Sequence, residues 1–271
     1  MRTTPSRPAA LVSLGLLSWL LAALPSAGQP PEPPAEMTLR VLSYNIHHGE
    51  GTDGKVDLDR VAKVLKAARP HLVALQEVDR NTRRSGGVDQ TAVLARLTGM
   101  HGSFGKAIDF QGGEYGQAVL STFPIRSVEV HRLPGKTEQE SRVAVEARVE
   151  IDGRPLTFLS THLQHDDGPT REKQAAKIVE LFARGGGPMI LAGDLNALPD
   201  SPPLKVLAER WAVATADRKL LTFPSAEPVR QIDYILYRPA DRFRVVGSEV
   251  IAEKVASDHR PVLAVLELRG R

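Results

Sequence analysis

Residues 188–196, Pro-Met-Ile-Leu-Ala-Gly-Asp-Leu-Asn, constrain the fold of this chain more than any other stretch. An unbroken apolar run bounded by turn-forming residues reads as a strand covered on both faces, which demands a layer of structure on either side. In α/β sheets ligands gather beyond the carboxyl ends of such strands. Here the run breaks at Gly193 and delivers a carboxylate, Asp194, and an amide, Asn196. Gly193 permits either a turn or the close approach of another backbone. Asp194 and Asn196 share a face only if strand geometry persists through Leu195. Taken alone, the motif fits a turn or a helix cap as well as a functional site, so the other strand ends have to decide.

The same pattern occurs elsewhere. Residues 39–46 form an apolar strand that ends near Asn45. Residues 57–66 carry apolar side chains at 58, 61, 62, 64 and 65, a helical face behind an acidic first turn, and Pro70 stops the helix. Residues 71–77 form a second strand that ends at Gln76 and Glu77. Strand–helix–strand implies two parallel strands, with Asn45 and Glu77 at one edge. Residues 91–97 predict a further helix, and residues 102–151 have the texture of strands and turns. Within that region, residues 142–149 alternate apolar and polar side chains, as expected of a half-exposed antiparallel strand. A second strand–helix–strand unit follows: a strand over 156–162 ending at His162, a helix over 169–184, and the opening strand. A short helix near 204–211 and strands over 231–236 and 260–266 bring in Asp233, Asp258 and His259. This arrangement reads as one domain with two β-sheets and helices outside.

The N-terminus lies outside the pattern. Residues 1–10 carry Arg2 and Arg7 and no acid, residues 11–24 are an apolar run, and Ser26, Ala27 and Gly28 are small. That is the layout of a secretory signal peptide over 1–28. The run is short for crossing a bilayer, so no stable membrane span is expected. Residues 29–37 open with a proline-rich stretch and read as a spacer, and residues 38–269 as the folded domain. The expectation is an exported monomer, periplasmic or extracellular; with no cysteine in the chain it forms no disulfide. The formal charge of +3 falls to about +1 once Arg2 and Arg7 are removed. Such a chain does not rest its affinity on neutralising many phosphates, although a local basic face is compatible with it.

The strand edges together offer Asn45, Glu77, His162, Asp194 with Asn196, Asp233, and Asp258 with His259. This is a set of carboxylates, amides and imidazoles with no thiol and no paired-histidine ligand motif. Oxygen donors of this kind suit hard cations such as Mg²⁺, with Mn²⁺ or Ca²⁺ as alternatives. Hydrolysis of a phosphate ester needs these parts: a cation against phosphate charge, a group that orients and deprotonates water, and donors around phosphorus. There is neither a Gly-x-Ser-x-Gly elbow nor a Walker loop to support a serine nucleophile or a nucleotide-binding P-loop.

Tyr44-Asn45-Ile46, Leu75-Gln76-Glu77, Ser160-Thr161-His162-Leu163, Gly193-Asp194-Leu195-Asn196, Gln231-Ile232-Asp233-Tyr234 and Ser257-Asp258-His259 occur in the order characteristic of one family. On these motifs the chain resembles the endonuclease/exonuclease/phosphatase superfamily, the deoxyribonuclease-I-like fold, over nearly all of residues 38–269. The resemblance implies an α/β protein: a four-layer α/β sandwich of two packed mixed β-sheets flanked by helices, with the site at one end. It implies a metal-dependent phosphodiesterase acting by in-line attack of water. Glu77 resembles the main Mg²⁺ ligand, Asn45 lies beside the metal, and Asp258 looks like a further metal-site acid. Asp194 resembles the residue that orients or deprotonates water, with Asn196 supporting it. His259 matches the histidine at the scissile phosphate, Asp233 the carboxylate that orients it, and His162 a second phosphate-site histidine. The implied substrates are nucleic acid, a phospholipid headgroup or a small phosphoester. A phosphomonoesterase of the same fold and a non-catalytic domain that retains it are the alternatives.

Outside that set, Arg142 reads either as a phosphate clamp or as half of a surface ion pair with Glu140, and Tyr115 lies near the cleft as a candidate substrate contact. His47 and His48 follow Asn45 either as solvated loop residues or as part of the cleft lining. The 161–167 stretch does not match the spacing of binuclear metallohydrolase ligands.

Overall fold

The computed structural model describes residues 1, 2, 4, 37–217 and 219–270, so nearly all of the expected signal peptide and of the expected spacer lie outside the described residues. The chain divides into Met1–Pro33 and Pro34–Arg271, and every element below belongs to the second unit. In order these are β1 (Met37–Asn45), α1 (Leu58–Ala68), β2 (Leu72–Arg80), α2 (Gln90–Thr98), β3 (His101–Phe110), β4 (Gly113–Ser121), β5 (Ile125–Arg132), β6 (Val143–Ile151) and β7 (Arg154–His162). There follow α3 (Gly168–Leu181), β8 (Met189–Asp194), α4 (Pro202–Ala208), β9 (Ala212–Val213), β10 (Asp233–Arg238), β11 (Phe243–Val250) and β12 (Val262–Leu268).

The strands form two six-stranded sheets, ordered β11-β12-β1-β2-β4-β3 and β5-β6-β7-β8-β10-β9. Each sheet contains one parallel pair, β1 with β2 and β7 with β8, and the remaining pairs are antiparallel. The parallel pairs are the two strand–helix–strand units, whose crossover helices are α1 and α3. Asp57 begins α1 by accepting the Arg60 amide at 2.8 Å, and Asp167 begins α3 by accepting the Thr170 amide at 3.0 Å.

Side chains alternate between layers. Val41, Ala74, Phe158, Ile190, Ala192 and Val262 belong to the core between the sheets. Their neighbours point the other way: Leu42, Tyr44, Val73 and Leu75 pack with Val61 and Leu65 of α1, and Leu159 and Leu191 with Ile178 of α3 and Leu207 of α4. The result is helix, sheet, sheet, helix. The apolar runs are continuous because both strand faces are covered. Gly193 serves close approach rather than a turn: it pairs with Thr161 of β7, whose carbonyl oxygen lies 2.1 Å from where a Cβ would stand.

Some local expectations change. β2 does not end at Glu77 but runs on to Arg80, and a bulge between Leu75 and Val78 places Glu77 at φ 56°. β6 is not half-exposed along its length: Glu146 is buried, paired with His131 at 2.9 Å and Arg148 at 3.1 Å. α3 ends at Leu181, before the glycine run, and α4 occupies 202–208. β3 and β11 are edge strands with few buried positions, so they lack the apolar signature that marks the central strands. Among the described residues no helix is long and apolar enough to cross a membrane.

Candidate active site

Strand register assembles the site. His162, at the end of β7, lies opposite Asp194 at the end of β8, and Asp194 lies opposite Asp233 at the start of β10. In the other sheet Asn45, at the end of β1, pairs with Gln76, one residue before Glu77. Asn45 joins the two sheets. Its amide nitrogen donates to Glu77 Oε1 at 3.0 Å and to Asp194 Oδ2 at 3.2 Å, and its oxygen accepts the His47 amide at 3.1 Å.

Asp194 is the convergence point. Besides Asn45, its Oδ2 has His162 Nε2 at 3.5 Å and His259 Nε2 at 3.6 Å. Its Oδ1 accepts the backbone amide of Asn196 at 2.9 Å. Strand geometry does not persist through Leu195: Asn196 adopts φ 47° and turns back, so that Nδ2 donates to the Leu163 carbonyl at 3.1 Å and lies 3.0 Å from His162 Nε2. Burial, reinforced by the nearby Asp233 carboxylate, raises the Asp194 carboxyl to about 7.

His259 holds its proton for the opposite reason. Asp233 Oδ2 accepts from Nδ1 at 3.0 Å, and both residues are buried. Burial alone would discharge the ring, but the Asp233 and Asp194 charges outweigh it and raise the imidazolium to about 10. His162 is held neutral: burial lowers it well below the ordinary value, and Arg142, His259 and His165 push the same way. Arg142 Nη1 lies 3.0 Å from His162 Nδ1. A guanidinium has no acceptor, so Arg142 donates to Nδ1, while Nε2 lies between the Asn196 amide and the Asp194 carboxylate. Two imidazoles of opposite charge state therefore flank one carboxylate.

Arg142 is neither a surface residue nor free. It is buried, its Nη1 lies 2.9 Å from Glu140 Oε1 without hydrogen-bond geometry, and its Nη2 faces His165 Nδ1 at 3.3 Å. Tyr115 lines the same cleft of about 460 Å³, as do Glu77, Asp194 and Asp258. Asp258 Oδ1 accepts the Ser257 hydroxyl at 3.3 Å.

A model of the Endonuclease/Exonuclease/phosphatase family matches residues 42–259. The chain belongs to that family. The family is one of phosphoester hydrolases, and this member is a hydrolase of that class. The chain is 24% identical to an uncharacterised protein, YbhP, of Escherichia coli K12 over 254 residues, 88% of this chain and all of that one. Among solved structures, an endonuclease/exonuclease/phosphatase protein from Beutenbergia cavernae superposes with a TM-score of 0.70 at 27% identity, over 86% of this chain and 72% of that one. A mannosyl-6-phosphatase from Bacteroides thetaiotaomicron gives 0.68 at 18% identity, over 84% and 99%. The two mixed sheets with flanking helices are the architecture of these neighbours.

Members of the endonuclease/exonuclease/phosphatase family use a divalent cation, and the donors here fit one. Glu77 presents a carboxylate to the cleft that is held in place by Asn45, with Asp258 in the same cleft. The structure also brings in residues that the strand ends do not reveal. Arg84 lines the cleft from the loop after β2, its guanidinium stacked 4.6 Å from the Phe110 ring centre and braced by Asp79 at 2.7 and 2.8 Å. Phe223 packs on His259 with ring centres 4.8 Å apart. Neither has a sequence signal, because both come from loops joined to the site only by folding. His48, buried, and His47, partly exposed, both stand beside Glu77.

Proposed function

We propose that this chain is an exported, divalent-metal-dependent phosphodiesterase whose site residues are Asn45, Glu77, His162, Asp194, Asn196, Asp233, Asp258 and His259. One observation carries the reading: Asp194 Oδ2 is approached by Asn45, His162 and His259 from both sheets. That geometry supplies a proton acceptor and a proton donor side by side. Asn45, Glu77 and Asp258 would hold the cation, which neutralises charge on the phosphate oxygens; their oxygen donors suit Mg²⁺.

Asp194, raised toward neutrality, takes the proton of the attacking water. Asn45 and the Asn196 amide keep its carboxylate oriented. His259, charged and fixed by Asp233, sits against the phosphate, where it stabilises the developing negative charge and protonates the leaving oxygen. Neutral His162 lines the cleft, and Arg142, which donates to its Nδ1, adds positive charge to the cleft wall. Water oxygen bonds to phosphorus, the ester oxygen departs with the histidine's proton, and Asp194 holds the proton released.

The substrates that fit are a nucleic acid, a phospholipid headgroup or a small phosphodiester. Phosphomonoester hydrolysis is the second reading, prompted by the shared fold of the mannosyl-6-phosphatase. A panel of DNA, RNA, sphingomyelin, phosphoinositides, bis-p-nitrophenyl phosphate and p-nitrophenyl phosphate, with Mg²⁺ and with EDTA, separates these. Hydrolysis of a diester that EDTA abolishes supports the proposal; hydrolysis of monoesters alone, or indifference to EDTA, rejects it. Export rests on residues 1–28, and mass spectrometry of the secreted chain should find a new N-terminus near residue 28 or 29.

A further inference from the structure

We infer that His47 and His48 are nitrogen ligands of the metal held at Glu77, and that they give this chain a preference for first-row transition dications over Mg²⁺. The inference rests on the reading of Glu77 as a metal-binding carboxylate and changes the kind of ion expected there.

One ring nitrogen of His47, one of His48 and a carboxylate oxygen of Glu77 all lie within 4.8 Å of one another. The backbone is bent to bring them together. His47, His48 and Glu77 have φ of 46°, 43° and 56°, left-handed values that side chains of this size seldom adopt. Strain of this kind persists only where surrounding contacts over-determine it. Those contacts are present. Asn45 Oδ1 accepts the His47 amide at 3.1 Å, Gln90 Nε2 donates to the His48 carbonyl at 2.6 Å, and the Gly49 amide donates to the Ile46 carbonyl at 2.8 Å.

Glu50 then fixes both rings. Its backbone carbonyl lies 3.3 Å from His47 Nδ1, and its carboxylate Oε2 lies 3.3 Å from His48 Nε2. Both partners are acceptors, so each of these nitrogens carries its proton, and His47 Nε2 and His48 Nδ1 are left with free lone pairs. His48 is 6% exposed, and its Nδ1 is buried with no hydrogen-bond partner. A metal-binding histidine is held in this way, donating its second nitrogen to a carbonyl or carboxylate while the first faces the ion. A solvated loop histidine has no reason to leave a buried nitrogen unpaired.

A second group of ligating residues makes the contrast. Glu129, His131 and Glu146 are as close together, but there both ring nitrogens face carboxylates, Nε2 at 2.9 Å from Glu146 and Nδ1 at 3.8 Å from Glu129. Arg148 pairs with Glu146 as well. In that group both ring nitrogens of His131 already face carboxylates, and neither is left without a partner. Two imidazoles added to the oxygen donors of Glu77, Asn45 and Asp258 make a mixed set that suits the middle and late first-row dications, whereas Mg²⁺ prefers oxygen alone.

The test is metal titration of the stripped full-length protein, read without turnover: visible absorption for Co²⁺ and calorimetry for Mg²⁺. The expected result is one Co²⁺ site with the ligand-field bands of mixed nitrogen and oxygen ligation, at least about tenfold tighter than Mg²⁺. His47→Ala should weaken Co²⁺ by roughly 10–100-fold and Mg²⁺ little, and Glu50→Ala, which acts through ring positioning, should weaken Co²⁺ in the same sense. Glu77→Gln should weaken both ions. Because His48 is buried and its variants risk misfolding, nitrogen coupling in the Cu²⁺ electron paramagnetic resonance spectrum of the unaltered protein provides an independent readout. Equal affinities for Co²⁺ and Mg²⁺, a Co²⁺ spectrum unchanged by His47→Ala, or one changed instead by His131→Ala would overturn the inference. Tight Co²⁺ binding without phosphoester hydrolysis under any dication would remove the proposed function and leave this site standing.

Discussion

Replacing Asp233 by asparagine is the perturbation whose consequences the structure specifies most fully. His259 is 5% exposed with Nδ1 3.0 Å from the Asp233 carboxylate, and its imidazolium is raised from 6.5 to about 10. A shift of that size corresponds to about 5 kcal/mol between the two charge states. A unit charge at this distance supplies on the order of 5 kcal/mol at an effective dielectric constant near 20, so Asp233 is large enough to account for most of it. The amide keeps the shape and removes the charge. Burial then dominates, and His259 loses its proton nearer neutrality. The amide also lets Nδ2 donate to the ring, which would place the ring proton on the wrong nitrogen. For bis-p-nitrophenyl phosphate, kcat should fall by roughly 10³–10⁴-fold, as when an orienting carboxylate is lost elsewhere.

The pH profile is the more diagnostic readout. In the unaltered protein kcat/KM should rise as Asp194 deprotonates, near 7 or lower once a cation is bound, and fall as His259 deprotonates near 10. Asp233 raises both groups, so both limbs should move to lower pH in Asp233→Asn, the alkaline one by about two units or more. Stability should follow. A histidine whose folded value exceeds its unfolded value stabilises fully below about 6.5, and that contribution disappears as pH rises through about 10. Thermal melts of Asp233→Asn should fall furthest below the unaltered protein under about pH 6.5, and the difference should narrow as pH rises toward 10. An alkaline limb that stays near 10 in Asp233→Asn would refute the reasoning, whatever happens to the rate.

Three further outcomes follow from the same geometry. Glu77→Gln should lower phosphodiester hydrolysis by about 10³-fold or more while circular dichroism stays unchanged, because Glu77 is half-buried at the cleft rather than in the core. Asn45→Ala removes the one amide that donates to both Glu77 and Asp194. It should cost about 1–3 kcal/mol by chemical denaturation and, because that hydrogen bond lowers Asp194, shift the acid limb of the pH profile upward. Gly193→Ala sets a methyl group against the Thr161 carbonyl oxygen, which is backbone and cannot rotate away. It should destabilise by about 1–3 kcal/mol or more and reduce activity by displacing the adjacent His162–Asp194 pair.

Much of the cluster that forms the candidate site was legible from strand ends alone. Asn45, His162, Asp194 and Asp233 sit at the termini of strands that apolar runs make visible, and a terminus is a local property of the chain. Glu77 was legible as a residue but not as a conformation, because the bulge that turns it arises from pairing between β2 and β4. Arg142 illustrates a different limit. Its position before β6 was apparent, yet whether it lies on the surface or in the site depends on His162 and Glu140, which reach it only through the sheet. Edge strands β3 and β11 were faint because each pairs on one side only and few of their side chains are buried.

By itself the sequence determined two strand–helix–strand units, the need for cover on both faces of the central strands, and a polar inventory suited to phosphate chemistry. These follow from periodicity and residue type, which need no distant partner. The tertiary structure decided which polar groups meet and which charges face one another. The Asn45 amide bridges the sheets, Asp233 charges one histidine while burial and Arg142 discharge another, and a strained loop brings His47 and His48 beside Glu77. Charge states and ligand sets depend on distances of a few ångströms between residues far apart in the chain, and only the packing of the two sheets creates those distances.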